Sequence, residues 1–183
     1  MGEKVFARRP DEATAYSLAR ADVARLPHSA WQLRDRQVWN FTTNQIHRVT
    51  VQYNRETRTL QRNANATWSL VQGEGMINSV NPVLEEIMYR LGDLRAEIWV
   101  SKGDESRAAL GFTPDGNRVT FELKNGEKPK TLVLEFGRPG VSPTKLPYAL
   151  AVVDGQTWIF EFPPKLHFEV VRDLFSPLFR GAQ

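Results

Sequence analysis

The chain has 183 residues, of which 41% are hydrophobic and 25% are charged, a composition typical of one folded domain or two small ones. It contains no cysteine, which excludes disulfides, thiolate metal sites and cysteine nucleophiles. No stretch approaches the roughly 18 consecutive apolar residues that a membrane span needs, and the amino terminus lacks the apolar core of a signal peptide. We therefore expect a soluble chain that could reach a membrane only through an anchor absent from this sequence.

The net charge of +3 is unevenly distributed. Residues up to Arg62 include 11 Lys/Arg and 6 Asp/Glu, whereas the remainder includes 13 and 15. A basic half can bind nucleic acid or another anionic polymer, and Arg55, Arg58 and Arg62 would be its contacts. Because only Tyr53 lies near these arginines as a stacking ring, a solvated strand face is the simpler interpretation, and we do not expect a nucleic-acid partner.

The amino-terminal segment predicts a strand, a turn, a strand and a short helix. Val5–Leu18 contains the turn residues Arg9-Pro10-Asp11-Glu12, and Ser17–Leu26 forms the helix that Pro27 ends. This order resembles the end of the chain, so residues 1–45 are predicted to be a partial repeat with a connector.

Residues 46–100 predict a first unit of strands and one helix. Ile46–Tyr53 alternates between apolar and polar residues, and short turns lead into Thr57–Arg62 and Thr67–Val71, which indicates an antiparallel meander. Asn81-Pro82 then begins a helix. Its apolar stripe consists of Val83, Leu84, Ile87, Leu91 and Leu94.

Residues 101–117 are predicted to be a mobile linker, because Ser101–Ser106 is polar and a turn signal follows. Residues 118–183 predict a second unit, with strands at Arg118–Leu123 and around Leu132–Phe136. A hairpin is predicted around Asp154-Gly155, and a last helix after Pro163-Pro164. The stripe of that helix consists of Leu166, Val170, Val171, Leu174 and Leu178.

The two units resemble each other in sequence. Val49–Tyr53 is similar to Val119–Leu123, and Thr67–Leu70 is similar to Thr157–Phe160, which makes Trp68 and Trp158 equivalent core residues. The predicted fold class is therefore α+β: two repeated units of antiparallel meander sheet, each packed by one proline-started helix, plus a partial amino-terminal strand–strand–helix unit.

No pattern of chemically active residues indicates catalysis. His28, His47 and His167 are far apart and lack metal-ligand spacing. The neighbouring carboxylates Glu85-Glu86 would point to different sides of a helix, and Asp104-Glu105 lies in the predicted linker. We therefore predict no catalytic residue, no metal site and no cofactor, and the sequence assigns no binding residue.

Several short motifs, taken in order, resemble the bacterial domain-of-unknown-function family 4340. They are Leu33-Arg34-Asp35, the strand centred on Trp68, Leu94-Arg95-Ala96, Leu110–Pro114, the Val-Thr-Phe strand beginning at Val119, Glu135–Gly137 and Tyr148-Ala149. The resemblance implies an envelope protein with an amino-terminal membrane anchor, often linked to gliding-type ABC transport systems. It assigns no catalytic residue.

The first hypothesis is accordingly a non-enzymatic interaction module on the periplasmic side of the cytoplasmic membrane, with protein partners such as an ABC-type transporter complex. The alternative is a domain that binds a glycan or an anionic polymer through the basic amino-terminal half. The third hypothesis is an enzyme of unrecognised type, which would need a pocket with convergent polar groups.

Overall fold

A computed structural model describes residues 4–65, 67–72, 75–79, 82–124, 129–138 and 147–175, with residues 72 and 75–79 described by their backbone alone. The chain forms two compact units, Met1–Asp35 and Arg36–Gln183. The α+β class predicted from the sequence is confirmed, because antiparallel sheets and helices both occur.

The first unit is a hairpin followed by short helical turns. Strands β1 (Lys4–Ala7) and β2 (Tyr16–Ala19) pair antiparallel, as predicted. The predicted helix is shorter than expected, because α1 comprises only Arg20–Val23. A 3₁₀ turn, Ala30–Leu33, follows, and Ser29 caps it. None of the described side chains in this unit is buried.

The second unit is built on one nine-stranded antiparallel sheet in the order β6-β5-β4-β3-β8-β9-β10-β11-β7. The strands are β3 (Ile46–Tyr53), β4 (Glu56–Arg62), β5 (Trp68–Gln72), β6 (Gly75–Ser79), β7 (Ile98–Lys102), β8 (Arg118–Leu123), β9 (Lys130–Phe136), β10 (Tyr148–Val153) and β11 (Gln156–Glu161).

Strands β3 and β8 join the two halves of this sheet. They pair antiparallel with Thr50 opposite Thr120, so the two segments whose sequences resemble each other are direct neighbours. Their alternation decides which side is buried: Val51 and Val119 face each other with no exposed surface, while the threonines lie on the opposite face.

Two helices cover the apolar face of the sheet. Helix α2 (Pro82–Gly92) and helix α3 (Pro164–Glu169) both begin at a proline, as predicted, and α3 continues as a π-helical turn over Val170–Phe175. Arg90 and Glu169 form an ion pair of 3.1 Å between the helices. The predicted cap Asn81 and the stripe residue Leu178 lie outside the described residues. Val83 is 47% exposed, so it does not belong to the buried stripe.

The extended segment 36–41 packs against the end of α2. The Val38 amide donates to the Leu94 carbonyl over 2.9 Å, and the Phe41 amide donates to the Gly92 carbonyl over 2.9 Å. The indole nitrogen of Trp39 donates to the Leu91 carbonyl over 2.6 Å. These bonds explain why the compact units divide at residue 35 rather than at the expected position 45.

The expected division of the remaining chain into two separate sheets is wrong, because the strands of both halves share one sheet. Strand β7 leaves the first half and pairs with β11 at the far edge. The repeat is not confirmed in detail, since Trp68 lies on the third strand of its half and Trp158 on the fourth. Both tryptophans are nevertheless buried, as predicted.

Residues 103–117, predicted to be part of a mobile linker, instead pack across the second face of the sheet. Phe112 joins a cluster with Tyr148, Leu150 and Ile159. The Arg138 amide donates to the Gly111 carbonyl over 3.0 Å. Hydrogen bonding and burial therefore fix this segment against β9, β10 and β11.

Gly92 provides a direct test of the packing of segment 36–41. A Cβ atom at this position would lie 2.3 Å from the Phe41 carbonyl oxygen. We expect Gly92→Ala to lower the free energy of unfolding by about 1–3 kcal/mol, although alanine is the better helix former. In denaturant unfolding, the control Val83→Ala should change stability by less than about 0.5 kcal/mol. Equal stability of Gly92→Ala and wild type would contradict the close approach.

Candidate functional site

A cleft opens between strands β9 and β10, which separate along most of their length. Their register contains only two pairs, Phe136 with Ala149 and Glu135 with Leu150. By contrast, all six residues of β10 pair with β11. The opening has a volume of about 580 Å³, within the range of ligand-binding clefts. We call it the β9–β10 cleft; it is lined by Val38–Phe41, Gln45, Leu123, Lys124, Lys130–Val133 and Val152–Gly155.

Backbone polar groups of both strands face this cleft. The Phe136 amide donates to the carbonyl of Asn117, which directly precedes β8, and the Gly137 amide donates to the Tyr148 carbonyl, each over 2.9 Å. Because the direction of backbone groups alternates along an antiparallel strand, the N–H and C=O groups of Thr131 and Val133 point toward β10. If the ladder continued, Val133 and Val152 would form its next hydrogen-bonded pair.

The cleft-facing N–H and C=O groups of Thr131 and Val133 have no hydrogen-bond partner within the described part of the chain. A row of unpaired backbone groups is a template for another strand. The open end of the cleft therefore resembles a short internal sheet edge.

Buried apolar side chains form the floor of the cleft. Trp39 and Phe41 lie in it, and both rings pack against Phe121 with centroid distances of 5.9 and 5.3 Å. Leu132 and Val153 contribute from β9 and β10, and both are buried. The hydrogen bond to Leu91 and the contact with Phe121 hold the Trp39 indole in place in this floor.

The rim of the cleft is charged. Lys124 and Lys130 lie on one wall, and Asp154 lies on the opposite wall in the β10–β11 turn. All three residues are exposed. Asp154 and Gly155 have φ values of 52° and 72°, which confirms the tight hairpin predicted there.

The histidines do not come together. His28 lies in an exposed loop, His47 in β3 and His167 in α3. Burial lowers the pKa of His167, whose ring packs beside Phe136 and Phe162. Within the described ranges, no group of three or more His, Asp or Glu side chains could hold a metal ion.

The two carboxylate pairs make separate interactions. Glu85 bonds to Arg62 over 3.1 Å, whereas Glu86 bonds to Arg90 over 2.7 Å on another side of α2, as helical geometry predicts. Asp104 forms an ion pair with Arg107.

Most of the basic strand face is neutralised within the fold. Arg48 pairs with Glu122 over 3.6 Å. Arg58 pairs with Glu56 over 3.5 Å. Arg62 pairs with Glu85, while Arg55 lies in the exposed turn between β3 and β4. Two of the three arginines predicted as contacts, Arg58 and Arg62, therefore each have a carboxylate partner within the fold.

Sequence reasoning missed the residues of the β9–β10 cleft. Thr131 and Val133 look like ordinary strand residues, and Lys124 and Lys130 look like residues flanking a hairpin turn. The cleft depends on where pairing stops between two strands, and no local pattern encodes that position.

The carboxyl of Glu85 has an unusual environment, with a testable consequence. Burial alone would raise its pKa, but hydrogen bonds from Thr43, Trp68 and Arg62 and the charge of Arg62 together lower it. A lowered pKa in the folded state stabilises the fold above the unfolded value of about 4.3, and this contribution is lost as pH falls through the folded pKa.

We expect Glu85→Gln to destabilise the protein by about 1 kcal/mol at pH 7, because a charge-assisted hydrogen bond is lost. The difference from wild type should shrink as pH is lowered to about 3. Urea unfolding at both pH values measures this difference in the free energy of unfolding. The exposed control Glu86→Gln should lower the free energy of unfolding by less than about 0.5 kcal/mol. A loss that does not change with pH would contradict the ionised role of Glu85.

The family comparison covers the first 111 residues. A family model described as "Domain of unknown function (DUF4340)" matches residues 1–111. This range contains segment 38–41 of the cleft floor, whereas strands β9 and β10 lie beyond it. No curated protein and no solved structure matches the chain. Because the matched range is more than half of the chain, the protein belongs to the DUF4340 family of domains of unknown function.

Proposed function

We propose that this chain is a non-enzymatic protein-interaction module that receives an extended segment of a partner protein in the β9–β10 cleft. One observation supports this proposal: the backbones of β9 at Thr131 and Val133 and of β10 at Val152 face each other across the cleft without pairing. Apolar side chains form the floor between them. An extended peptide can add a strand to such an edge, gaining affinity from main-chain hydrogen bonds and specificity from its alternate side chains.

Strand β9 is the more favourable edge for this pairing. Thr131 and Val133 direct two amides and two carbonyls toward the gap, whereas β10 directs only those of Val152. A segment paired with β9 would direct every second side chain toward Leu132, Phe41 and the rest of the floor. The proposed segment is short, because the strands meet again at Glu135 and Leu150.

The closed end of the cleft would hold its geometry during binding. Phe112 and Leu110 pack over β10 on the second face. At Gly137 a Cβ atom would lie only 2.7 Å from the Leu110 carbonyl oxygen, so the chains are tightly packed there. A rigid closed end limits the ordering cost of binding at the open end.

The family resemblance supports a further proposal about the location and the partner class of this module. We propose that it acts on the periplasmic side of the cytoplasmic membrane as an accessory to a transporter complex. None of the helices in the described part of the chain has the length and hydropathy that a bilayer crossing requires.

The alternative glycan- or polymer-binding function has less support. This hypothesis places its contacts in the basic amino-terminal half, with exposed aromatic rings as stacking surfaces. Arg58 and Arg62 are ion-paired, and Trp68 and Trp158 are buried. The cleft therefore offers better-placed binding groups than the basic strand face does.

The strand-addition proposal is tested with a displayed library of random hexapeptides as the probe. An enriched peptide is synthesised in a plain form and in a form N-methylated at every second residue, which keeps the side chains but removes one row of backbone donors. Methylation can begin at the first or at the second residue, which gives two methylated forms. We expect one of them to bind at least about tenfold more weakly than the plain peptide, because each lost hydrogen bond leaves a backbone group unpaired.

The corresponding change in the protein is Thr131→Pro. It removes a backbone N–H that points into the cleft and leaves the hydrogen bonds between β9 and β8 intact. We expect about a tenfold loss of affinity by fluorescence anisotropy, with the thermal unfolding midpoint retained because proline is tolerated where the N–H faces outward. Thr131→Val is the matched control, since it keeps the backbone donor and should bind like wild type. The proposal fails if no hexapeptide is enriched, or if both methylated forms bind as well as the plain peptide.

A further inference from the structure

We infer that the segment bound in the β9–β10 cleft carries two successive aliphatic side chains, one that enters the floor and one that packs between Val133 and Val152. This inference rests on the proposed function, and it names the chemistry that would select one extended segment over another. The selected class is an extended segment that is apolar on both faces at these two positions.

Val133 and Val152 lie on the same face of the sheet, on opposite walls of the cleft. The pair of Glu135 with Leu150 is the one nearest the open end. Val133 lies two residues before Glu135, and Val152 lies two residues after Leu150. Because side chains two residues apart share a face, both valines lie on the second face, where Phe112 packs on Leu150.

Val152 is an exposed aliphatic residue at the wall of the cleft. Tyr148 and Leu150, the preceding residues on the same face of β10, are 6% and 3% exposed, because they belong to the Phe112 cluster. Val152 is 55% exposed and lines the cleft. An added strand beside β10 would remove this aliphatic surface from water, which favours binding.

The cross-strand row that contains the two valines consists of β-branched residues. Thr120 is opposite Val133 in β8, and Thr157 is opposite Val152 in β11. Cross-strand pairs of β-branched side chains stabilise a sheet, whereas a charge placed among them loses hydration. The row therefore favours Val or Ile at the segment residue that fills it, and it disfavours Asp, Glu, Lys and Arg.

The neighbouring residue of the segment points to the floor. Leu132, which precedes Val133, is buried and lines the cleft together with Trp39 and Phe41. Because an added strand follows the pleat of β9, the segment residue beside Leu132 faces these rings, and the residue beside Val133 faces Val152. The cleft therefore selects two adjacent aliphatic residues, whereas a strand with one solvated face alternates apolar and polar residues.

The peptide side of the test uses hexapeptides enriched from the random library. We expect the enriched sequences to share two adjacent aliphatic residues, and Ser at either position should weaken binding by at least about tenfold, because apolar burial is lost. Ser at the two terminal positions is the control and should change affinity by less than about twofold. Fluorescence anisotropy measures each affinity.

The protein side of the test changes Val152. Val152→Thr keeps the β-branched shape but replaces a methyl group by a hydroxyl, and it should weaken binding about threefold to tenfold. Val152→Asp should weaken binding by at least about tenfold, because a carboxylate would be buried beside the segment. The controls Val83→Thr and Val83→Asp make the same changes at an exposed valine of α2 outside the cleft, and they should bind like wild type.

A double-mutant cycle identifies the peptide residue that meets Val152. Ser at the residue that faces Val152 should cost less affinity in Val152→Thr than in wild type, because part of that contact is already lost. Ser at the floor-facing residue should cost the same in both proteins. Coupling of both peptide residues to Val152, or of neither, would contradict the inference.

The outcomes separate this inference from the proposed function. Enriched peptides with a polar or charged residue at either position would overturn the aliphatic specificity. Equal binding by wild type and Val152→Asp, with binding still weakened by Thr131→Pro, would also overturn it and would leave strand addition intact. A library that yields no cleft-dependent peptide would overturn the proposed function itself.

Discussion

The pairing of β3 with β8 is the interaction on which the rest of the structure depends. These strands come from opposite halves of the chain, and their facing residues Val49, Val51, Val119 and Phe121 have no exposed surface. Burial of side chains of this size contributes about 1.5–3 kcal/mol each, so the central pair is a major source of stability. Because it unites eight meander strands in one sheet, it also creates a single apolar face that α2, α3 and segment 36–41 cover together.

The β9–β10 cleft results from unequal support along one strand pair. At the closed end, the Phe112 cluster and the bond from Arg138 to Gly111 hold β9 and β10 together. At the open end, β9 remains paired with β8, and β10 remains paired with β11, but β9 and β10 separate from each other. Within the described ranges, the outer pairings thus hold the sheet together, and the cleft-facing backbone groups of β9 have no strand partner.

The sequence predicts local elements well, because short-range chemistry determines them. The Asp154-Gly155 hairpin requires positive φ at both residues, and Pro82 and Pro164 suit the first position of a helix. Long-range pairing is different: nothing in β7 indicates that it crosses to β11, and nothing in residues 103–117 indicates that Phe112 covers the second face. The cleft was unpredictable for the same reason, since Thr131 and Val133 fit a strand whether or not β10 stays beside them.

Amide hydrogen exchange of β9, followed by NMR in the free protein and with an enriched hexapeptide, tests strand addition most directly. In the free protein, the amides of Leu132 and Leu134, which point toward β8, should exchange slowly, and those of Thr131 and Val133 should exchange fast. Adding the peptide should slow at least one of the two cleft-facing amides by about tenfold or more. Slow exchange of Thr131 and Val133 before any peptide is added, or unchanged exchange at saturation, would contradict the account.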